Sequence, residues 1–545
     1  MTTIEDTHAT SLRIAQEADP RPIAEIAAGL GLADDEIELY GRFKAKVGLD
    51  AIERRADTPD GALVCVTAIT PTKAGEGKTT TAIALTEALG LLGERAALCL
   101  REPSMGPVFG IKGGGAGAGR AQVVPMEDLN LHFTGDLHAI AAANNLLAAM
   151  VDAHLLHGNE LGIDPLSITF RRCLDTNDRA LRDVVVALGG RANGYPRETG
   201  FDITAASEVM ALLAVARDLP DLRRRLGDIT VAHTFDGDRV TAEQLGVAGS
   251  MAVLLKDAIK PNLIQTLEGQ PVFVHCGPFA NIAHGNNSLV ADRLALKLAD
   301  FVVTESGFGA DMGLEKFAHI VAPLGGLRPS AVVLVATVRA LRENGEDNLG
   351  RHVAIIRELG HEPIVAVNRF GGDTRTDVAA VRRLALDVGA LAAEVSDGFE
   401  RGGQGAAALA EAVYEAAQAG PRLTPLYSSE DALRQKIEAV ATRVYGAGAV
   451  VFSARAQAAA EQLTRDGLAG LPVCLAKTPL SLSHDPGLGA SPKGFALPIA
   501  DLRPYTGAGW IVALCGDTMT MPGLGRSPAA LAIDIDADGR TVGLF

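Results

Sequence analysis

Positive charge is in short supply in this 545-residue chain: 50 Lys and Arg stand against 66 Asp and Glu, a formal net charge of −16. A protein that grips nucleic acid needs a cationic face to neutralise phosphates, so no nucleic-acid partner is expected. Anionic ligands can still be held, but only in local pockets of N–H groups, Lys and Arg. Paired cysteines are also missing. The six Cys (Cys65, Cys99, Cys173, Cys276, Cys474 and Cys515) are scattered singly, mostly among apolar neighbours, with no C-x-x-C. Buried free thiols in a reducing cytoplasm are the expectation. The first twenty residues lack a basic stretch followed by an apolar one, so no signal peptide is expected. No window approaches ~18 uninterrupted apolar residues, and no membrane span is expected. The His residues, His284 among them, lack metal-ligand spacing such as H-E-x-x-H, which argues against a transition-metal site. There is no fixed-period repeat and no low-complexity linker.

What is present belongs to a folded chain. Hydrophobic residues make up 48% and charged residues 21%, enough for a large core without disulfide or structural metal. Length suggests roughly three to four domains. The first sixty residues read as helical: "PIAEIAAGLGL" and "DDEIELYGRFKAKV" carry apolar residues at steps of three and four, with Asp34 and Asp35 suited to a helix start. Then the period changes. "ALVCVTAIT" (62–70) is a short, apolar, β-branched run, as a strand buried on both faces should be. A Gly-rich turn, a helical "TTAIALTEALGLLG" and a second buried strand in "RAALCLRE" follow. Similar runs recur at 184–190, 229–235, 271–277, 301–307, 331–338 and 363–370, with helical stretches between several of them. The last ~120 residues repeat the alternation with "LPVCLAK" and "WIVALCG". Strand–helix alternation predicts an α/β fold with a mostly parallel sheet covered on both faces.

The sharpest local signal is "TPTKAGEGKTTT" (70–81), between a buried strand and a helix, the context a phosphate-binding loop requires. Backbone N–H groups over Thr72, Lys73, Ala74, Gly75, Glu76, Gly77, Lys78 and Thr79, with the positive end of the helix, can cradle phosphates. Lys78 reaches the terminal phosphates and the Thr79 hydroxyl holds Mg²⁺. The match to G-x-x-x-x-G-K-[ST] is imperfect, because Thr72 stands at the first glycine position. After the second strand come Arg101 and Glu102, where ligands bind outside the carboxyl ends of parallel strands. An Arg there can clamp a carboxylate or acyl phosphate with its planar fork. The following "GIKGGGAGAG" is too rich in glycine for helix or strand and is a backbone-lined loop. Glu305 and Asp311, beside a strand end, can orient Mg²⁺ through water or cap the next helix.

The segment 99–136, with "RETGFDITAASEVMA", "KDAIKPNLIQTLEG", "GPFANIAHGNNS", "TESGFGADMGLEKF", "YGAGAV" and "GDTMTMPGLGRSPAALAIDIDADG", resembles the formate–tetrahydrofolate ligase family. These segments run in order from about residue 60 to the end, and no generic phosphate-loop protein requires them. The resemblance implies phosphorylation of formate by MgATP to formyl phosphate, then attack by N10 of tetrahydrofolate. It implies Lys78 and Arg101 as catalytic residues, with Arg101 and Glu102 at the formyl phosphate. It implies that Phe370 and Phe399 hold the pterin. The family has Trp at the second of these places, so Phe399 offers a smaller stacking face without the indole N–H.

It further implies a cytoplasmic homotetramer stimulated by a monovalent cation (K⁺ or NH₄⁺). Between "TVRAL" and "PIVAVNRF" this chain is shorter than the family pattern by about fifteen residues, a change that loops tolerate. The expected organisation is a phosphate-loop domain over 1–345 and two smaller α/β domains over 346–455, around the folate site, and 456–545. A phosphate-loop ATPase acting as a switch, and a catalytically retired folate-binding relative, stay open as alternatives.

Overall fold

The computed structural model describes residues 4–110, 114–516 and 518–544, with side chains from residue 10 onward. The middle of the Gly-rich 110–119 stretch, residues 111–113, lies outside the described residues. After an N-terminal helix, α1 (Ile4–Glu17), and the short Ile23–Gly29 helix, the chain departs from the expected second helix. Asp34–Glu36 makes only one 3₁₀ turn, and the rest is a hairpin of β1 (Ile37–Leu39) and β2 (Ala45–Val47), paired Ile37 to Val47. Gly41, at φ +84°, turns the chain there, and β2 gains a second ladder against the segment around Asn262. Long-range pairing thus overrides a local pattern that also fits a helix.

The strands β3 (Ala62–Ala68), β4 (Ala96–Leu100), β5 (Gly117–Ala118), β6 (Ala121–Val124), β7 (Asn262–Thr266), β8 (Pro271–Val274), β9 (Phe301–Gly309), β10 (Ala331–Ala336), β11 (Ile364–Asn368) and β12 (Ala392–Ser396) complete one 12-stranded sheet. Its order is β1-β2-β7-β8-β4-β9-β3-β10-β11-β12, with β6 and β5 branching from β7. From β8 to β12 every neighbour is parallel; β1, β2, β6 and β7 make an antiparallel flank. The runs at 184–190 and 229–235 lie apart from it, in two-stranded hairpins. The C-terminal runs build a three-stranded sheet, Val473–Ala476, Trp510–Leu514 and Asp501–Tyr505, beside a parallel pair, Ala449–Phe452 and Ala496–Ile499. The fold is therefore mixed α/β with a large, mostly parallel central sheet and several smaller ones.

Central strands are apolar on both faces because helices cover both: β4 and β10 are buried throughout, and β3 all but its first residue. Each fully buried Val or Leu contributes about 1.5–3 kcal/mol. The helix after β3, α2 (Lys78–Leu91), is buried from Thr80 to Leu89, wedged between the sheet and the 402–406 turn. Among the described residues one helix, α3 (Asp136–Leu156), is long and apolar enough to cross a membrane by length and composition alone. Its Leu137, Ile140, Ala143, Leu147, Val151 and Leu155, spaced by three and four, are buried in the protein core. Asp136, in its first turn, is ion-paired with buried Lys46 at 2.9 Å.

The segment after β10 is two helices in succession, α4 (Val338–Asn344) and α5 (Glu346–Glu358), joined at Gly345. The sheet runs on past residue 345 through β11 and β12. All six cysteines are free and buried.

Candidate active site

In a parallel sheet, ligands bind outside the carboxyl ends of the strands. The ends of β3, β4, β9, β10, β11 and β12 bring together most of the residues singled out above.

The loop between β3 and α2 is shaped from inside by Glu76. This buried carboxylate accepts the Thr72 N–H at 2.6 Å through Oε1 and the Thr337 hydroxyl through Oε2. The Gly75 N–H closes a turn on the Thr72 carbonyl at 3.1 Å. The missing first glycine is therefore no defect, since Thr72 sits in the brace rather than in a left-handed conformation. Gly77 is the position that demands glycine. Its φ is +70°, and a Cβ there would lie 2.2 Å from the Asn368 amide nitrogen. Lys73 and Ala74 stand exposed at the loop's crest.

Glu305 is the hub. Its Oε1 faces Lys78 Nζ at 3.1 Å and Arg101 Nη2 at 3.4 Å, and its Oε2 accepts the Thr79 hydroxyl at 2.5 Å. Lys78 also donates to the Ser306 carbonyl. The register of β9 against β3 breaks between Glu305 and Gly309, and such irregularities re-aim side chains beside active sites. Burial pushes the Glu305 carboxyl up, but Lys78 and then Arg101 outweigh it and hold it below the usual carboxylate range. Burial pushes Lys78 down; Glu305 opposes that and Arg101 adds to it. The result is an anion between two cations, poised so that phosphoryl oxygens can compete with it.

Glu102 does not join them. Its side chain is buried on the other side of the strand end, where burial, and next the Asp136 carboxylate, push its carboxyl well above the usual range. Asp311 neither caps a helix nor faces Glu305; it is ion-paired with buried Lys477 at 2.6 Å. His284 is a core histidine, accepting the Asn286 N–H at 3.1 Å and meeting Trp510 edge-on at 5.7 Å. No cluster of three or more His, Cys, Asp or Glu with metal-ligand geometry exists among the described residues. Thr79 and Glu305 are instead two oxygen donors of the kind Mg²⁺ takes alongside phosphates and waters.

The two aromatics are not ordinary core. Phe370, just past β11, keeps 37% of its surface exposed, with one face against the Arg339 guanidinium at 4.7 Å. Phe399, just past β12, is half-buried. Its ring and carbonyl rest on Gly119, where a Cβ would come within 2.7 Å of Cδ2, and Arg120 N–H donates to that carbonyl at 2.9 Å. The part of the Gly-rich stretch that is described thus seats Phe399.

A profile of the formate–tetrahydrofolate ligase family matches residues 9–545. The chain belongs to that family. It is 52% identical over 562 residues to formate–tetrahydrofolate ligase of Desulforamulus reducens, covering 98% of this chain and 99% of that one. With the Paracoccus denitrificans ligase it shares 52% over 554 residues, covering 98% and 100%. With that of Roseiflexus castenholzii the figure is 54% over 561 residues, again 98% and 100%.

Sequence reasoning missed the support beneath Phe399. Gly403 N–H donates to Glu268 at 2.9 Å, and Glu87 of α2 lies under the same turn. Burial, then the neighbouring Glu268 carboxylate, push Glu87 up to about 8 from an ordinary 4.5. A raised carboxyl contributes stability that is complete below the unfolded-state value and fades as pH rises through the folded one. Unfolding midpoints should therefore fall between pH 5 and pH 9, and Glu87→Gln should flatten that fall, because the amide mimics the protonated acid. Parallel curves for the two proteins would mean that Glu87 does not titrate in this range. The only local signal was a lone acid among the Ala, Leu and Thr of that helix.

Proposed function

We propose that this protein joins formate to tetrahydrofolate at the expense of ATP, through formyl phosphate. The observation that carries the reading is the convergence of Lys78, Thr79 and Arg101 on Glu305, at the mouth of a phosphate-binding loop, in a chain of this family.

Formate alone is a poor acyl donor, since its carboxylate is resonance-stabilised and has no good leaving group. In the first step a formate oxygen bonds to the γ-phosphorus of ATP and the bond to ADP breaks. Phosphoryl transfer depends mostly on positioning and charge neutralisation. The loop N–H groups and α2 hold the phosphates, Lys78 neutralises the transferring group, and Arg101 orients the carboxylate with its planar fork. Thr79 and Glu305 are the oxygen donors that would hold Mg²⁺, which would supply further charge neutralisation. In the second step N10 attacks the formyl carbon, phosphate leaves with the bridging oxygen, and the N10 proton is lost to solvent or to the departing phosphate. The tetrahedral oxyanion needs fixed donors, a role this reading gives to Arg101. Phe370 and Phe399 grip the pterin. Stimulation by K⁺ or NH₄⁺ and a tetrameric assembly belong to the same proposal.

The test is ADP release with formate and tetrahydrofolate each omitted in turn, alongside 10-formyltetrahydrofolate formation. Ligation predicts product only with all three substrates; steady ADP release with neither co-substrate favours the switch ATPase instead. At the folate end, Phe399→Ala should raise the tetrahydrofolate KM about two- to tenfold, the size of one stacking contact, and leave the formate and ATP KM nearly unchanged. An unchanged folate KM in the folded variant would place Phe399 outside the folate site.

A further inference from the structure

The loop after β3 and the exposed aromatic just past β11, two strands away in the sheet, share one guanidinium, from the helix that follows the strand between them. Arg339, the second residue of α4, donates through Nη2 to the Gly75 carbonyl. The same guanidinium lies 4.7 Å from the Phe370 ring centroid, within the range of cation–aromatic attraction. Around it the elements are already bolted together. Thr337 donates to Glu76, Asn344 donates to the Thr70 carbonyl at 2.7 Å, and Asn368 donates to the Glu76 carbonyl at 2.9 Å.

Arg339 meets two parts of this assembly. One is the Gly75–Glu76 peptide. Gly75 has φ +76°, its N–H bonds to the Thr72 carbonyl at 3.1 Å, and Glu76 is braced on Thr72, Thr337 and Asn368; Arg339 adds the contact to the Gly75 carbonyl. The other is the Phe370 ring, which has the guanidinium on one face and an exposed remainder. Arg339 touches both. In a trans peptide the C=O and N–H point opposite ways, so an arginine holding the Gly75 carbonyl leaves the Glu76 N–H pointing away from itself, free for a phosphate in the proposed reading.

We propose that Arg339 is a positioning residue that couples the two substrate sites, setting the Gly75–Glu76 peptide for phosphate and the Phe370 ring for pterin with one side chain. A phosphate on the Glu76 N–H polarises that peptide and strengthens the bond from Arg339 to the Gly75 carbonyl. That holds the guanidinium over the ring. A pterin stacked on Phe370 holds the same guanidinium from the other end. The coupling is positive, and by linkage it is equal in both directions. The inference rests on the reading above, in which the loop binds ATP and Phe370 contacts the folate.

The experiment is equilibrium titration of MgADP and of tetrahydrofolate, each alone and with the other saturating. It is run on the wild-type protein, Arg339→Ala, Arg339→Lys, Phe370→Leu and the Arg339→Ala/Phe370→Leu double variant. In the wild type each ligand should tighten the other about two- to fivefold, the size of one exposed cation–aromatic contact. Arg339→Ala should bring that ratio to one while each ligand still binds. Arg339→Lys should keep MgADP affinity, because an ammonium can reach the Gly75 carbonyl, yet lose the coupling, because it cannot lie flat on the ring. Phe370→Leu should remove the coupling when Arg339 is present and change nothing in MgADP binding when it is absent. A wild-type ratio of one, or one that survives in Arg339→Ala, overturns the proposal alone. Failure of wild-type protein to bind MgADP overturns the reading of the loop and the proposal with it.

Discussion

Lys78→Ala should leave a folded protein with almost no ligase activity. The ammonium sits 3.1 Å from Glu305 at the start of α2, where only a positive charge can neutralise a phosphoryl group in flight. Losing one such preorganised interaction costs about 2.7–4 kcal/mol, or roughly a hundred- to a thousandfold in kcat. Circular dichroism should be unchanged although stability falls, because Arg101 and the Thr79 hydroxyl still face Glu305. Wild-type turnover in a folded Lys78→Ala protein contradicts the phosphate-loop assignment.

The second large effect falls on stability. Glu305→Ala should strand Lys78 and Arg101 beside one another with no counter-charge. Removing one partner of a buried ion pair typically costs about 3–5 kcal/mol. The lower end applies to this pair, since Arg101 keeps 26% of its side-chain surface in water. Urea unfolding at low ionic strength should show the loss. Inorganic phosphate should then raise the midpoint of Glu305→Ala more than that of the wild type, because ligand binding to the native state stabilises it and the variant's two cations are free to take the anion. An unchanged midpoint in Glu305→Ala, with no added response to phosphate, contradicts an electrostatic role for this residue.

Much of the fold is legible in the sequence, for physical reasons. The central strands are readable because burial on both faces removes polar residues from short runs, as in Ala62–Ala68 and Ala331–Ala336. The turn after β3 is readable as a candidate phosphate loop because Gly75, Gly77 and Lys78 fall within four residues between a strand and a helix. The segment around Ile37 is not, since an edge hairpin and an amphipathic helix can share one apolar spacing over so few residues, and pairing with β7 decides between them. The strands at 184–186 and 230–233 look like sheet members yet pair in separate hairpins, because composition reports burial and not partner. Site residues divide the same way. Glu305 can be flagged as an acid at a strand end, but only the β9 irregularity and the Lys477 ion pair rank it above Asp311. Arg339 stands in "TVRAL", a segment that carries the resemblance, but nothing there names its partner, since Gly75 lies 264 residues away.

The central claim is that formate is activated as an acyl phosphate, and oxygen tracing tests it most directly. Turnover with doubly ¹⁸O-labelled formate, ATP and tetrahydrofolate should release inorganic phosphate carrying one ¹⁸O atom per molecule, with the other retained in the formyl group. That follows because the bridging oxygen of formyl phosphate comes from formate and leaves with phosphorus when N10 attacks carbon. Unlabelled phosphate, formed at the same rate as 10-formyltetrahydrofolate, would contradict the formyl phosphate route and, with it, the catalytic roles of Lys78 and Arg101.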